Sequence, residues 1–141
     1  MVRLVFSVVA LMLMGTITWA AERPHQVRGH GQFVSPTDFV GCGVATHLGR
    51  YRETGNVQFA PTADPAVVQI TGSATLVAAN GDHLVEQISG VLNLQTGAGV
   101  ATMTFVGGTG RFATASGSAT FALQLFPNGS FAYTGKGSID Y

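Results

Sequence analysis

Phe105-Val106-Gly107-Gly108-Thr109-Gly110-Arg111-Phe112-Ala113-Thr114-Ala115-Ser116-Gly117 is the stretch that decides the fold. An apolar run enters a Gly-Gly-Thr-Gly bend, one turn brings Phe112 back towards the core, and a new alternating segment starts at Gly117. Glycine accepts positive φ and close backbone approach, so Gly107, Gly108, Gly110 and Gly117 read as a sharp corner between two β-strands. The same residues imitate a dinucleotide-binding loop at Gly108-x-Gly110-x-x-Ala113. That loop works only between a strand and a helix, where the helix N-terminus meets the pyrophosphate. Here an alternating strand follows instead.

Downstream of the corner, Gly117 to Phe126 and Ser130 to Tyr141 form two strands joined by Pro127-Asn128-Gly129. Gly117, Ala119, Phe121, Leu123 and Leu125 share one face of the first. Phe131, Tyr133, Ile139 and Tyr141 share one face of the second. Period-two alternation means one buried and one wet face. Upstream, Gly99 to Val106, His83 to Gln95 and Val67 to Ala79 are further strands, with Thr96-Gly97 a turn and Asn80-Gly81 the favoured pair of a type I′ hairpin. Ala60 to Pro65 is loop. Gly41 to Tyr51 and Thr54 to Phe59 read as extended segments with a bend at Thr54-Gly55-Asn56. Val27 to Val34 is a first strand, ended by the turn cluster Ser35-Pro36-Thr37-Asp38. No helical periodicity of any length follows residue 20. Half-buried antiparallel strands must hide their edges, and closure does so completely. The expectation is one all-β domain over residues 27–141, an eight-stranded antiparallel barrel, preceded by a polar arm at residues 21–26. A lipocalin-like or avidin-like barrel is the alternative architecture.

A weak repeat supplies a ruler. Gly-x-Ala-Thr followed by a larger residue occurs at Gly43 to His47, Gly72 to Leu76, Gly99 to Met103 and Gly117 to Phe121. Gly, Ala and the fifth residue fall on one strand face. Leu, Met and Phe at the fifth position mark that face as interior, which places His47 inside in the first copy. Glu86 lies between Leu84 and Ile88 on the apolar face of its strand, so it too is placed inside. Tyr51 shares the strand face of His47. A carboxylate on an apolar face needs a partner or a raised pKa. His47, Glu86 and Tyr51 are therefore the candidate cavity residues, able to anchor a polar ligand end or to act as acid and base. The bland alternative, a rim position for Glu86 or a mutually satisfied pair, stands beside it.

The first twenty residues have the form of a secretory signal peptide. Arg3 is a short positive region, Leu4 to Met14 an apolar core too short for a comfortable membrane span, and Gly15 to Ala20 a small-residue exit. The expected location is secreted or periplasmic, with no membrane attachment after cleavage. Removal of Arg3 leaves the seven acidic residues one ahead of the basic ones, a balance that offers no footprint for nucleic acid or anionic lipid. The single cysteine, Cys42, excludes an intrachain disulfide and reads as a small buried filler between two glycines.

The pattern Gly-Gly-Thr-Gly-x-Phe-x-x-Ala-x-Gly at residues 107–117 resembles the C-terminal corner of the dirigent proteins and the allene oxide cyclase barrels. The resemblance covers Gly72 to Tyr141, and extends to small exported bacterial barrels with no assigned activity. It implies an eight-stranded calycin-type barrel with a central cavity, and a homotrimer. Dirigent proteins commonly carry Arg where this chain has Ala113 and Ser116, and the cyclases an acidic residue where it has Ala113. The resemblance thus implies no catalytic residue here.

No His-x-His or Cys-x-x-Cys spacing supports a metal site, no Gly-x-Ser-x-Gly elbow is present, and no cofactor is implied. Asn128-Gly129-Ser130 has the form of a glycosylation sequon, but the hairpin needs the same residues. The functional expectation is a non-catalytic barrel that binds a small apolar ligand or serves as a structural and interaction module. The alternative is a cofactor-free cyclase, isomerase or stereochemical guide acting in the cavity.

Overall fold

The computed structural model describes residues 22–141, so the signal-peptide reading of residues 1–20 lies outside it. The strands are β1 (Arg23–Phe33), β2 (Asp38–Ala45), β3 (Gly49–Pro61), β4 (Val67–Val77), β5 (His83–Asn93), β6 (Ala98–Gly108), β7 (Ser116–Leu125) and β8 (Ser130–Asp140). Each pairs antiparallel with the next, and β1 pairs with β8, giving one closed eight-stranded barrel. No α-helix occurs among the described residues; a single 3₁₀ turn, Gly110–Phe112, sits in the corner. Eight strands enclose a lumen about as wide as side chains can fill. Inward residues such as Leu76, Leu84, Ala101, Phe121 and Ile139 are accordingly buried, while their chain neighbours face outward.

Three local expectations change. Residues 23–26, expected as part of an arm, begin β1, and Arg23 to Gln26 pair with β8 from Ile139 to Lys136. The bend expected at Thr54-Gly55-Asn56 is continuous strand: β3 runs through it, and Gly55 faces inward beneath the ring of Phe39. Asn80-Gly81 does not form a type I′ turn, which needs positive φ at both residues. Only Gly81 has it, and five residues, 78–82, connect Val77 to His83. The Pro127-Asn128-Gly129 turn forms as read, with Gly129 at φ 82° and the Asn128 side chain accepting from the Ser130 backbone N–H and hydroxyl.

The corner joins β6 to β7. The β5–β6 register shifts between Leu84 and Glu86, a bulge that falls where Gly107 takes φ 113°. Thr109 then exchanges bonds with His83: its backbone N–H donates to the His83 carbonyl and its hydroxyl accepts from the His83 N–H. Gly110, at φ 56°, lies against the Asp82 carboxylate with no room for a Cβ. Asp82 also bonds the Arg111 backbone N–H, so the corner is clamped to the β4–β5 turn. The result drives Phe112 fully out of solvent beside Tyr141 and closes this end of the barrel.

Candidate functional site

The middle of the lumen is polar and acidic. Alternation along β3 turns Tyr51 and Glu53 inward, β5 supplies Glu86 and β8 supplies Tyr133, all at most 7% exposed. Their bulk is accommodated because the facing positions on β1 and β2 are glycines. A Cβ at Gly29 would lie 2.5 Å from the Tyr133 hydroxyl and 2.6 Å from that of Tyr51, and one at Gly41 would lie 2.5 Å from Glu53 Oε1. The hydroxyls of Tyr51 and Tyr133 are 2.5 Å apart, and Tyr133 donates to Glu53 Oε1 at 2.7 Å. Tyr133 has one proton, so with Glu53 ionised the chain of donation runs Tyr51 to Tyr133 to Glu53.

Desolvation governs the protonation of this group. Burial pushes the Glu53 carboxyl up to about 7, against the opposing help of the Tyr133 hydroxyl. Glu86 is raised well above the usual carboxylate range by burial and then by the charge of Glu53, and it has no side-chain hydrogen bond among the described residues. Both tyrosines are raised by the same loss of water. Burial thus favours the neutral form of both carboxyls, most strongly at Glu86. The arrangement can hold one exchangeable proton in a dry site, shared along a short hydroxyl chain.

His47 is not part of it. β2 ends at Ala45, so His47 lies in the β2–β3 turn at the corner end, partly exposed. Its Nε2 donates to the Pro24 carbonyl at 2.7 Å, and its Nδ1 accepts from the Tyr141 hydroxyl at 3.0 Å. The expected His47–Glu86 pair therefore does not form; Glu86 and Tyr51 do face the lumen. The buried histidine is His25, 2% exposed, stacked on His47 at 5.9 Å and edge-on to Phe105 at 5.2 Å. Burial and then the His47 charge lower His25 to about 4, and its Nδ1 has no partner among the described residues.

The opposite end is an aromatic mouth. Phe33 and Phe39, Phe33 and Phe131, and Phe39 and Phe131 pack with centroids 5.5–5.9 Å apart, mutually tilted. They border an apolar cavity of about 70 Å³ whose wall includes Ile70, Ile88, Met103, Phe121 and Leu123, with Tyr133 among the deep lining residues. Among the described residues the lumen is filled over most of its length and opens at this end. Exposed apolar side chains ring this end: Val34 after β1, Phe59 near the end of β3, Leu94 after β5 and Phe126 after β7.

Glu53, Tyr133 and His25 complete the interior polar set, and sequence reasoning assigned none of them a site role. The signal for His25 was present, since His25, Val27, Gly29 and Gly31 alternate. It was hidden by reading residues 21–26 as an arm, and Glu53 was hidden by the supposed bend one residue later. Cys42, read as buried, is exposed on the outer face with its thiol 3.5 Å from His30 Nε2. Among the described residues no three metal-ligating side chains converge. No family model matches the chain, and no curated protein matches it significantly.

Proposed function

We propose that this barrel is a non-catalytic binder that takes the apolar end of a small ligand through its aromatic mouth. The observation that carries this reading is the coincidence of an apolar cavity of about 70 Å³ with exposed apolar residues around its rim, Val34, Phe59, Leu94 and Phe126. Binding sites are concave and mostly apolar, and an apolar rim around an apolar hollow continues the contact for the rest of a ligand. A water's share of liquid is ~30 Å³, so the cavity takes a short alkyl end or part of a ring rather than a whole molecule. The reading includes export through residues 1–20. It also includes kinship with the dirigent and allene oxide cyclase barrels, supported by the corner motif and by the closed antiparallel topology.

Titration with n-octanol, followed by NMR of methyl and aromatic groups, tests it. Shifts should centre on Phe33, Phe59, Leu123 and Leu125, and Leu123→Trp, which fills the hollow, should remove them. Shifts absent, or scattered over the outer face, would refute the mouth as a site. A second reading, acid–base catalysis, has one observation in its favour: Glu53 sits near neutrality beside the Tyr133 hydroxyl, as a general base does. It requires a substrate that displaces the Tyr133 ring. Octanol binding that is unchanged in Glu53→Gln supports the binder over the catalyst.

A further inference from the structure

We propose that the outer face of β8, β1, β2 and β3 is a docking surface for an extended acidic polysaccharide. The near-zero net charge conceals a spatial separation, because Glu53 and Glu86 point into the lumen and are lost to the surface. Of the described basic residues, Arg111 pairs with Asp82 at 3.7 Å and Arg23 lies over the Tyr141 ring. Arg28, Arg50, Arg52 and Lys136 are exposed, and none has an ion pair or side-chain hydrogen bond among the described residues.

Register brings them together. Arg28 lies beside Val44, which lies beside Arg50; His30 lies beside Cys42, which lies beside Arg52. Lys136, on β8, pairs with Gln26, one outward position from Arg28. The outward carboxylates lie towards the ends of these strands: Asp38 on β2 is engaged by the Asn56 amide at 2.7 Å, Asp140 stands four residues beyond Lys136 on β8, and Glu22, ahead of β1, accepts from the Ser138 hydroxyl at 3.4 Å. Arg28 and Arg50 stand two strand spacings apart, ~10 Å, so they match charges spaced along a chain rather than one small anion.

A trough of about 1040 Å³ continues the patch across the outer faces of β2, β1, β8, β7 and β6, lined by Arg28 and Lys136 together with Gln26, Thr46, Thr120 and Thr134. Across β3, β2, β1 and β8 the outward row reads Arg50, Val44, Arg28, Thr134, so cations are spaced by small side chains, as carboxylates are spaced along an acidic sugar chain. Phe121, the one aromatic residue lining the trough, is 2% exposed and turns its ring into the lumen, so no platform exists for stacking bases. This surface is independent of the mouth.

Cys42 lies inside the patch and reports occupancy. With polygalacturonate as the probe at low salt, alkylation of Cys42 by iodoacetamide should slow severalfold, and added salt should restore it as the charges are screened. Arg28→Ser and Arg50→Ser should each weaken binding roughly fivefold, the upper end for an exposed ion pair. Arg23→Ser removes the same charge away from the patch and should leave binding unchanged. Saturated binding without protection of Cys42, or equal weakening by Arg23→Ser, would overturn the proposal. Equal protection by oligothymidylate would overturn the polysaccharide assignment in favour of a nucleic acid.

Discussion

At the corner end Phe112, Leu84 and Ile139 are fully out of solvent and Leu48 is 1% exposed, whereas at the mouth Phe33 is only partly buried and Phe59 is 39% exposed. Both ends are made from the same alternating strands, so alternation does not explain the difference. The connections do. At the corner end the 3₁₀ turn, the β2–β3 turn and Tyr141 fold over the lumen and contribute Phe112, Leu48 and His47 to its cover. At the mouth a hollow of about 70 Å³ is left among Phe33, Phe39 and Phe131. Closing a barrel needs segments outside the strands, and this chain spends them at one end only.

Deleting one ring at each end is the strongest way to break that comparison. Phe112→Ala should cost about 3–5 kcal/mol, because a large fully buried side chain leaves a cavity with rigid walls. Phe59→Ala at the mouth should cost about 1 kcal/mol or less, since its ring already meets solvent. Urea midpoints of the two variants measure both effects, and equal losses would show that the ends are packed alike.

Titration separates the same regions, since the hollow at the mouth is lined by no titratable side chain apart from Tyr133 at its depth. The Glu53 pKa is raised in the fold, from 4.5 to about 7, so its contribution to stability is full below about 4.5 and lost as pH rises through about 7. Glu86, raised well above its usual value, adds a loss of the same sign that also begins above about 4.5 and continues to higher pH. The His25 pKa is lowered from 6.5 to about 4, so its contribution is full above 6.5 and lost as pH falls through about 4. For Glu53 and for His25 the shift is worth about 3 kcal/mol at 1.36 kcal/mol per pKa unit. Glu53→Gln should flatten the fall in stability between pH 4.5 and 7, and His25→Phe the fall on the acid side. Phe59→Ala should leave both limbs in place. A Glu53→Gln profile parallel to the wild type would remove Glu53 as the source.

Gly29→Ala sharpens the boundary between the acidic middle and the mouth. Its Cβ would press on both tyrosine hydroxyls, so a loss of about 1–3 kcal/mol is expected from overpacking. The Tyr51–Tyr133 contact should break with it, visible as a changed hydroxyl proton resonance, while the aromatic signals of Phe33 and Phe39 stay put. An unchanged hydroxyl resonance would mean that the hydroxyl chain does not depend on the space left by Gly29.

The chain of residues determined the class of fold because each strand writes its buried face locally, at every second position. Phe121, Leu123 and Leu125, or Leu84, Glu86 and Ile88, can be assigned a face without knowing what they meet. The corner was legible for a similar reason, since Gly107, Gly110 and Gly117 each take the positive φ that their sequence context called for. Where alternation stops is a different matter. The Gly-x-Ala-Thr repeat placed Leu76, Met103 and Phe121 correctly and His47 wrongly, because in the first copy the strand ends at Ala45 and the chain turns. Only the tertiary structure decided which polar residues share the lumen. Tyr51, Glu53, Glu86 and Tyr133 come from three strands, and their meeting depends on barrel register and on glycines opposite them, neither of which a local pattern carries. The cationic outer face has the same origin: charges far apart in the chain become neighbours when β8, β1, β2 and β3 lie side by side, and two carboxylates leave the surface by pointing inward.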